Sequence, residues 1–332
     1  MTATRPLPDE PDAAAAAMGG DRVRRQWRFT QTVLAIALIG FAGWYLGRQW
    51  RDASQTRLDV SLGWGWLLAA SALVFATYLF LVELWRRILT QFGAVVSLRH
   101  ASRIWFVSNL GKYVPGKIWQ VTTMATMLSS AGVGLGIAAR ASALITIANV
   151  VAGLALVLVV GTPALRLLGA RYQVGALVVV IVVSGLLLLA PVFLRVAARA
   201  LRRWFRADAR QITIPRSATI LGVVGCLVAW LLYGIAFRLF VLALLGKAEA
   251  SWASYIAVYV LSYLVGYLVI FAPGGLGPRE ATLSALLIAL HMATPAEAAV
   301  ITIASRLWLS VLEVLPAAAF LMIRPRGLRL RT

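Results

Sequence analysis

The sequence predicts an all-α, polytopic integral membrane protein with about eight transmembrane segments, some of them broken into half-helices. Hydrophobic residues make up 61% of the 332 residues, charged residues make up only 13%, and the mean hydropathy is +0.84. Soluble domains are nearer half apolar and a quarter charged. A water-soluble fold cannot bury this much apolar surface, so lipid is the expected solvent for most of the chain.

Apolar stretches follow one another along the chain, and most approach the roughly 20 residues that a membrane-spanning helix needs. The tail at 1–28 is rich in Ala, Pro and Asp, and we expect it to be disordered and cytoplasmic. The transmembrane domain is predicted over 29–323, and a basic cytoplasmic tail over 324–332. The apolar stretches are 29–45, 62–82, 137–160, 174–193, 217–245, 252–272, 278–293 and 296–323.

The first of these stretches has a cleavable signal peptide as its alternative interpretation. Its apolar core is long, and no small-x-small cleavage site follows it. Trp44, Arg48 and Trp50 close the stretch, as interface residues close a membrane span. We therefore favour a retained transmembrane helix.

The positive charge is distributed unequally between the two sides of the membrane. The net charge is +20, and 20 of the 32 Lys and Arg residues fall in four alternate segments, against six in the intervening loops. By the positive-inside rule the richer segments are cytoplasmic, as are both termini. The predicted setting is a bacterial-type inner membrane, and nucleic acid is not an expected partner. The cytoplasmic segments are 1–28, 83–103, 194–216 and 324–332, and the outside loops are 48–61, 161–173 and 246–251.

The cytoplasmic segment 194–216 has a pattern of its own. Six of its arginines fall on one helical stripe, which favours an interfacial helix that faces lipid headgroups. A solvated determinant of topology is the alternative. The arginines are Arg195, Arg199, Arg202, Arg203, Arg206 and Arg210.

The residue counts exclude several kinds of chemistry. Cys226 is the single cysteine, so an intrachain disulfide cannot form. His100 and His291 are far apart and lie in no metal-binding spacing. No phosphate-binding Gly-x-x-x-x-Gly-Lys-Ser/Thr loop or Gly-x-Ser-x-Gly elbow occurs. We expect no cofactor, no metal and no catalytic activity.

A first break interrupts a less hydrophobic stretch at 104–129. It reads Gly-Lys-Tyr-Val-Pro-Gly-Lys and contains two of the three lysines of the chain. Breaks free backbone polar groups, which membranes tolerate where the chain lines a cavity. We predict two half-helices that enter and leave on one side, with a site for an anionic phosphate; a cytoplasmic loop with snorkelling lysines is the alternative. The candidate residues are Asn109, Lys112, Tyr113, Pro115, Gly116 and Lys117.

A second break, Pro-Gly-Gly-Leu-Gly-Pro-Arg-Glu at 273–280, separates the stretches 252–272 and 278–293. These stretches are either two crossings or a second hairpin that enters from the opposite side. Arg279 does not complement a helix N-terminus, so we expect a phosphate or a carboxylate as its partner. A tight turn with an interface arginine is the alternative. The candidate residues are Pro273, Gly274, Gly275, Gly277, Arg279 and Glu280.

The last span carries two charges, Arg306 and Glu313, on one helical face. A charge at such depth costs at least about 2.5–3.5 kcal/mol, so each is expected to meet a partner or a wet cavity. The predicted pair is Arg306 with Glu313 or Arg306 with Glu280, and a purely structural ion pair is the alternative to a functional one.

The two breaks, in this order and hydrophobic setting, resemble the signature segments of the lysylphosphatidylglycerol synthase transmembrane (flippase-like) family. The resemblance covers about residues 30–323. It implies a multi-span module that moves a lipid headgroup between leaflets, without the soluble aminoacyl transferase domain that bifunctional members carry.

From the residues and the resemblance together, we expect a translocator of an anionic or amphipathic phospholipid. The expected partners are phosphate-bearing headgroups and, in addition, a separate synthetase or glycosyltransferase; the oligomeric state is left open. The alternative is an accessory subunit or enzyme of a lipid-linked glycan or lipid-modification pathway.

Overall fold

A computed structural model of the protein describes residues 62–113, 118–167, 215–268 and 273–322, all within the compact unit Ala53–Thr332. Several sequence predictions lie outside these ranges. They concern the apolar stretches at 29–45 and 174–193, the arginine stripe of segment 194–216, and the tails at 1–28 and 324–332. In the described ranges the chain is helical and contains no strand.

Eight α-helices occur in the described ranges. The two sequence breaks each hold a short 3₁₀ turn, Leu110–Tyr113 and Pro273–Gly275. The helices are α1 (Trp64–Gln91), α2 (Leu98–Asn109), α3 (Ile118–Ser130), α4 (Leu135–Leu167), α5 (Arg216–Leu245), α6 (Trp252–Leu268), α7 (Pro278–Ala289) and α8 (Pro295–Met322).

Four of these helices are long and apolar enough to cross a membrane: α1, the Gly136–Gly161 part of α4, α5 and α8. The predicted all-α polytopic membrane fold is confirmed.

Helix α1 continues nine residues beyond the apolar stretch predicted to end at 82. The added turns are held by ion pairs on one side of the helix: Glu83 accepts from Arg86 Nε at 2.7 Å and from Arg87 Nε at 2.9 Å. On the other side, Trp85 and Ile88 are fully buried. Hydropathy marks where a helix leaves lipid, and here local ion pairs and core packing extend it further.

Helices α1 and α5 form an antiparallel pair in which the ends of one helix meet the ends of the other. At one end Gly63 N donates to Ala243 O at 2.8 Å, and at the other Ser217 Oγ donates to Gln91 at 2.7 Å. The segments 83–103 and 194–216 were predicted to share one side, and this pairing supports that alternation.

Helices α2 and α3 form a hairpin around the first break. They have 12 and 13 residues, or about 18–20 Å, which is too short to cross a hydrocarbon core of about 30 Å. Asn109 and Gln120 are hydrogen-bonded across the break. Arg140, in the second turn of α4, lies over the ring of Phe92, which follows α1 directly. Both outer ends of the hairpin therefore lie at the same end of the bundle, as predicted.

Helices α6 and α7 form a second hairpin around the second break. At 12 residues, or about 18 Å, α7 is too short to cross the hydrocarbon core, which favours the hairpin over two crossings. A Cβ added to Gly266 on α6 would lie 2.6 Å from Arg279 Cβ on α7, so the two helices meet beside the break. At the other end Lys247, before α6, forms a 3.1 Å ion pair with Glu297, after α7. The outer ends again lie together, at the end opposite to those of the first hairpin.

Helices α5 and α6 cross in close contact at Gly234. An added Cβ would lie 2.7 Å from Ile256 Cα, which is backbone and cannot rotate away. Absence of a side chain is therefore a packing requirement, as is common where membrane helices approach closely.

We expect Gly234→Ala to lower the free energy of unfolding by about 1–3 kcal/mol, because the added methyl forces α5 and α6 apart. Gly65→Ala on α1 is the matched control, since nothing lies within 4 Å of its added Cβ. Thermal unfolding of both variants in detergent measures the difference. Equal midpoints for the two variants would contradict the close contact.

Candidate functional site

The two hairpins enter from opposite ends, and their breaks meet at a cavity of about 160 Å³. All eight helices contribute residues to the walls of this cavity. The outer ends of the two hairpins do not line it. The polar and charged lining residues are Tyr78, Asn109, Lys112, Gln120, Ser142, Thr146, Asn149, Tyr233, Tyr259, Tyr263, Tyr267, Arg279, Arg306, Ser310 and Glu313.

The structure brings together half of the residues predicted for the site and places the others nearby or outside the described ranges. Glu280 and Gly277 lie at the start of α7 and do not line the cavity. Tyr113 ends one 3₁₀ turn and Pro273 begins the other. Pro115, Gly116 and Lys117 are outside the described residues. The predicted residues that line the cavity are Asn109, Lys112, Gly274, Gly275, Arg279, Arg306 and Glu313.

Lys112 joins the first break to α8. Its Nζ lies 2.6 Å from Glu313 Oε1, and the two side chains are 20% and 14% exposed. Tyr78 on α1 donates to the same oxygen at 3.2 Å. Glu313 therefore pairs with a lysine of the first hairpin, and the predicted Arg306–Glu313 alternative is not the one adopted.

Arg306 joins the second break to α8, seven residues before Glu313. Its Nη1 donates to Gly274 O at 3.0 Å and lies 3.5 Å from Glu280 Oε1. The other oxygen of Glu280 accepts from Gly277 N at 2.7 Å, which caps α7. The Arg306–Glu280 alternative is the pair that the structure contains. In a membrane such contacts satisfy backbone groups that the break exposes.

Arg279 differs from the other two lining cations. Its guanidinium lies over the rings of Tyr259 and Tyr263, with centroid distances of 5.7 and 5.3 Å. The residue is 6% exposed, it forms no ion pair with a described residue, and its Nη2 has no hydrogen-bond partner among them. Arg279 is thus a buried cation with one unused donor, Nη2, among the described contacts, and its planar guanidinium suits a phosphate or a carboxylate.

The tyrosines around Arg279 were not found by the sequence analysis. Tyr255, Tyr259, Tyr263 and Tyr267 recur every fourth residue, which puts them on one face of α6. Tyr233 on α5 extends this face, with its ring centroid 6.2 Å from that of Tyr259. The spacing is visible in the sequence, but aromatic residues at helical spacing are typical of any membrane core, so only the neighbouring arginine marks these as part of a site.

One other lining residue bears on chemistry. Cys226 is buried in the cavity wall with a free thiol. In the described part of the chain, no three His, Cys, Asp or Glu side chains come together as a metal site.

Fold and cavity together define a polytopic α-helical membrane protein with a charged internal cavity between two opposed broken hairpins. Residues 31–316 match the family model described as the lysylphosphatidylglycerol synthase TM region, so the chain belongs to that family. This confirms the resemblance drawn from the two breaks and identifies a membrane protein of a lipid-handling family. No curated protein matches the chain significantly.

The Lys112–Glu313 pair should contribute to stability as a coupled unit. Either Lys112→Met or Glu313→Gln alone leaves a largely buried charge without its partner, whereas the double variant removes both charges. We expect a coupling energy of about 1–3 kcal/mol in a double-mutant cycle of unfolding in detergent.

The Lys247–Glu297 pair is the control for this cycle, because Lys247 is 57% exposed and solvent weakens the attraction. No measurable coupling is expected there. Equal coupling in the two cycles would show that the lining pair has no special role.

Proposed function

We propose that the protein translocates an anionic or amphipathic phospholipid between the leaflets, and that the headgroup passes through the cavity between the hairpins. One observation carries the proposal: Arg279 is a buried cation in the cavity wall without an ion-pair partner among the described residues. Burying an uncompensated charge is unfavourable, and a ligand phosphate would compensate it.

The position of the cavity supports transport over simple binding. A lipid that changes leaflets must move its charged headgroup through hydrocarbon, where an unpaired phosphate is prohibitively costly. The polar cavity lies between hairpins that enter from opposite ends of the bundle. It would surround the headgroup with polar protein groups for part of the path across the hydrocarbon. Broken helices around a central site are also a recurring feature of transporters.

We propose transport without chemical change of the lipid. The two carboxylates near the cavity are already committed, Glu313 to Lys112 and Glu280 to Arg306. Because each carboxylate already has a basic partner, the proposal assigns neither of them a role as a general base. The partners of the cavity are then phosphate-bearing headgroups. A separate synthetase or glycosyltransferase that makes or uses the lipid is a further proposed partner.

Transport is tested in liposomes that contain the purified protein and phospholipids fluorescently labelled on an acyl chain. We expect protein-dependent exchange between leaflets, with recovered lipids that are chemically unchanged by mass spectrometry. Arg279→Gln should slow exchange at least about tenfold, which corresponds to about 1.4 kcal/mol, because the phosphate loses its charged partner.

The matched control is Arg238→Gln. Arg238 also lies over an aromatic ring, that of Trp252 at 4.0 Å, but it does not line the cavity. Exchange should continue in this variant. If the two variants lose exchange equally, or if the wild-type protein moves no anionic, zwitterionic or aminoacylated lipid, the proposed function is wrong.

We further propose that the protein resides in a bacterial-type inner membrane with both termini in the cytoplasm. The excess of basic residues in the predicted cytoplasmic segments supports this orientation. The antiparallel pairing of α1 with α5 is compatible with it.

Orientation is tested with single cysteines in a Cys226→Ala background. Val95 is 80% exposed in the segment 83–103, and Glu249 is exposed in the loop 246–251. A membrane-impermeant maleimide added to intact spheroplasts should label Glu249→Cys and spare Val95→Cys until the membrane is opened. The reverse pattern would invert the orientation.

A further inference from the structure

We propose that the cavity selects headgroups that carry one negative charge, the charge of a phosphodiester, over those that carry two, as an ionised phosphomonoester does. This inference rests on the proposed function and names the substrate class of the same site. It follows from the balance of charges around the cavity and from how each charge is held.

The described charges at the cavity leave a surplus of one cation. Three basic residues line it, Lys112, Arg279 and Arg306, and two carboxylates lie within ion-pair distance of them. The carboxylates are distributed one each to Lys112 and Arg306. The third basic residue, Arg279, has no ion-pair partner among the described residues, and its guanidinium lies over two tyrosine rings. One negative charge neutralises the set, and a second exceeds it.

A second negative charge would have to take a cation from one of the existing pairs. Lys112 lies 2.6 Å from a Glu313 carboxylate that is 14% exposed, so releasing Lys112 leaves that carboxylate buried and unpaired. Removing one partner of a buried pair is strongly unfavourable. Breaking this pair is therefore the energetic cost of binding any headgroup whose charge requires a second cation in addition to Arg279.

Arg306 is no easier to recruit. Its Nη1 binds Gly274 O as well as Glu280, so it fixes the backbone of the second break. Turning this side chain toward a ligand would take its hydrogen bond from Gly274 O and its positive charge from the buried Glu280 carboxylate. Both secondary cations are thus bound into the fold.

Arg279 is placed to bind a single phosphate group. Its guanidinium lies over two tyrosine rings, Nη2 has no hydrogen-bond partner among the described residues, and Gly266 packs against its Cβ. The same residue lines the cavity, so a phosphate that enters the cavity can reach this donor.

The test compares two lipids with identical labelled acyl chains in liposomes that contain the full-length protein. Phosphatidylglycerol is a phosphodiester with one charge at every pH used. Phosphatidic acid is a phosphomonoester, and the second ionisation of such a group has a pKa of about 6. The lipid therefore carries mainly one charge at about pH 5 and two at about pH 8. Back-extraction by albumin measures exchange at both pH values without an acid-labile reductant.

We expect phosphatidylglycerol to exchange at both pH values. Phosphatidic acid should exchange at about pH 5 and at least about tenfold more slowly at about pH 8. Phosphatidylglycerol also reports any titration of the protein itself. The groups that face Arg279 are Tyr259 and Tyr263 on α6, Glu280 on α7, Arg306 and Glu313 on α8, and Lys112 at the first break. The ratio of the two lipids at each pH isolates the charge of the headgroup.

A charge-balance variant makes the converse prediction. Glu313→Gln removes one negative charge and frees Lys112, so the ratio of phosphatidic acid to phosphatidylglycerol exchange at about pH 8 should rise at least about tenfold. Glu297→Gln is the control, because Glu297 pairs with Lys247 at the far end of the second hairpin. It should leave the ratio unchanged.

The outcomes separate this inference from the function on which it rests. If no lipid exchanges, the proposed function fails. If phosphatidylglycerol exchanges and phosphatidic acid matches it at about pH 8, translocation stands and charge selection is overturned. If Glu313→Gln folds and leaves the ratio unchanged, charge balance is not the cause of selection. The wild-type comparison of the two lipids decides the question if this variant does not fold.

Discussion

A break in a membrane helix frees backbone donors and acceptors that lipid cannot satisfy, and the rest of this structure depends on how the protein satisfies them. The second break is the clearest case, since Gly274 O accepts from Arg306 and Gly277 N donates to Glu280. These two charged residues also face each other. The same side chains that make the break tolerable thus place charge in the middle of the bundle.

Helix α8 organises both breaks at once. Arg306 holds the second break and Glu313 holds the first through Lys112, and the two residues are seven positions, or about 10 Å, apart on one helical face. The hairpins enter from opposite ends, so a single helix that lies between them can contact both breaks. The two charged side chains of α8 therefore join both hairpins to the same helix.

Much of this arrangement could be predicted from the sequence, because hydropathy, proline–glycine pairs and rare lysines are local signals. They located the two breaks and the charged residues of α8. The choice between partners was not local: whether Arg306 meets Glu280 or Glu313 depends on how α7 and the first break pack against α8. The extension of α1 beyond its apolar stretch has a similar cause, because Trp85 and Ile88 are buried where hydropathy alone would end the span.

Tyr259 and Tyr263 explain how Arg279 can remain in the cavity wall without an ion pair to a described carboxylate. A ring face attracts a cation by its quadrupole and contributes about 0.5–2 kcal/mol, which is much less than a buried ion pair. Tyr259 and Tyr263 therefore stabilise Arg279 in place without neutralising it, whereas Glu313 and Glu280 neutralise Lys112 and Arg306. Replacing Tyr263 by a carboxylate would complete a third ion pair and leave no charge for a phosphate. In the proposed function, the two tyrosine rings, unlike an ion pair, keep the charge of Arg279 available to a headgroup phosphate and allow that phosphate to dissociate again.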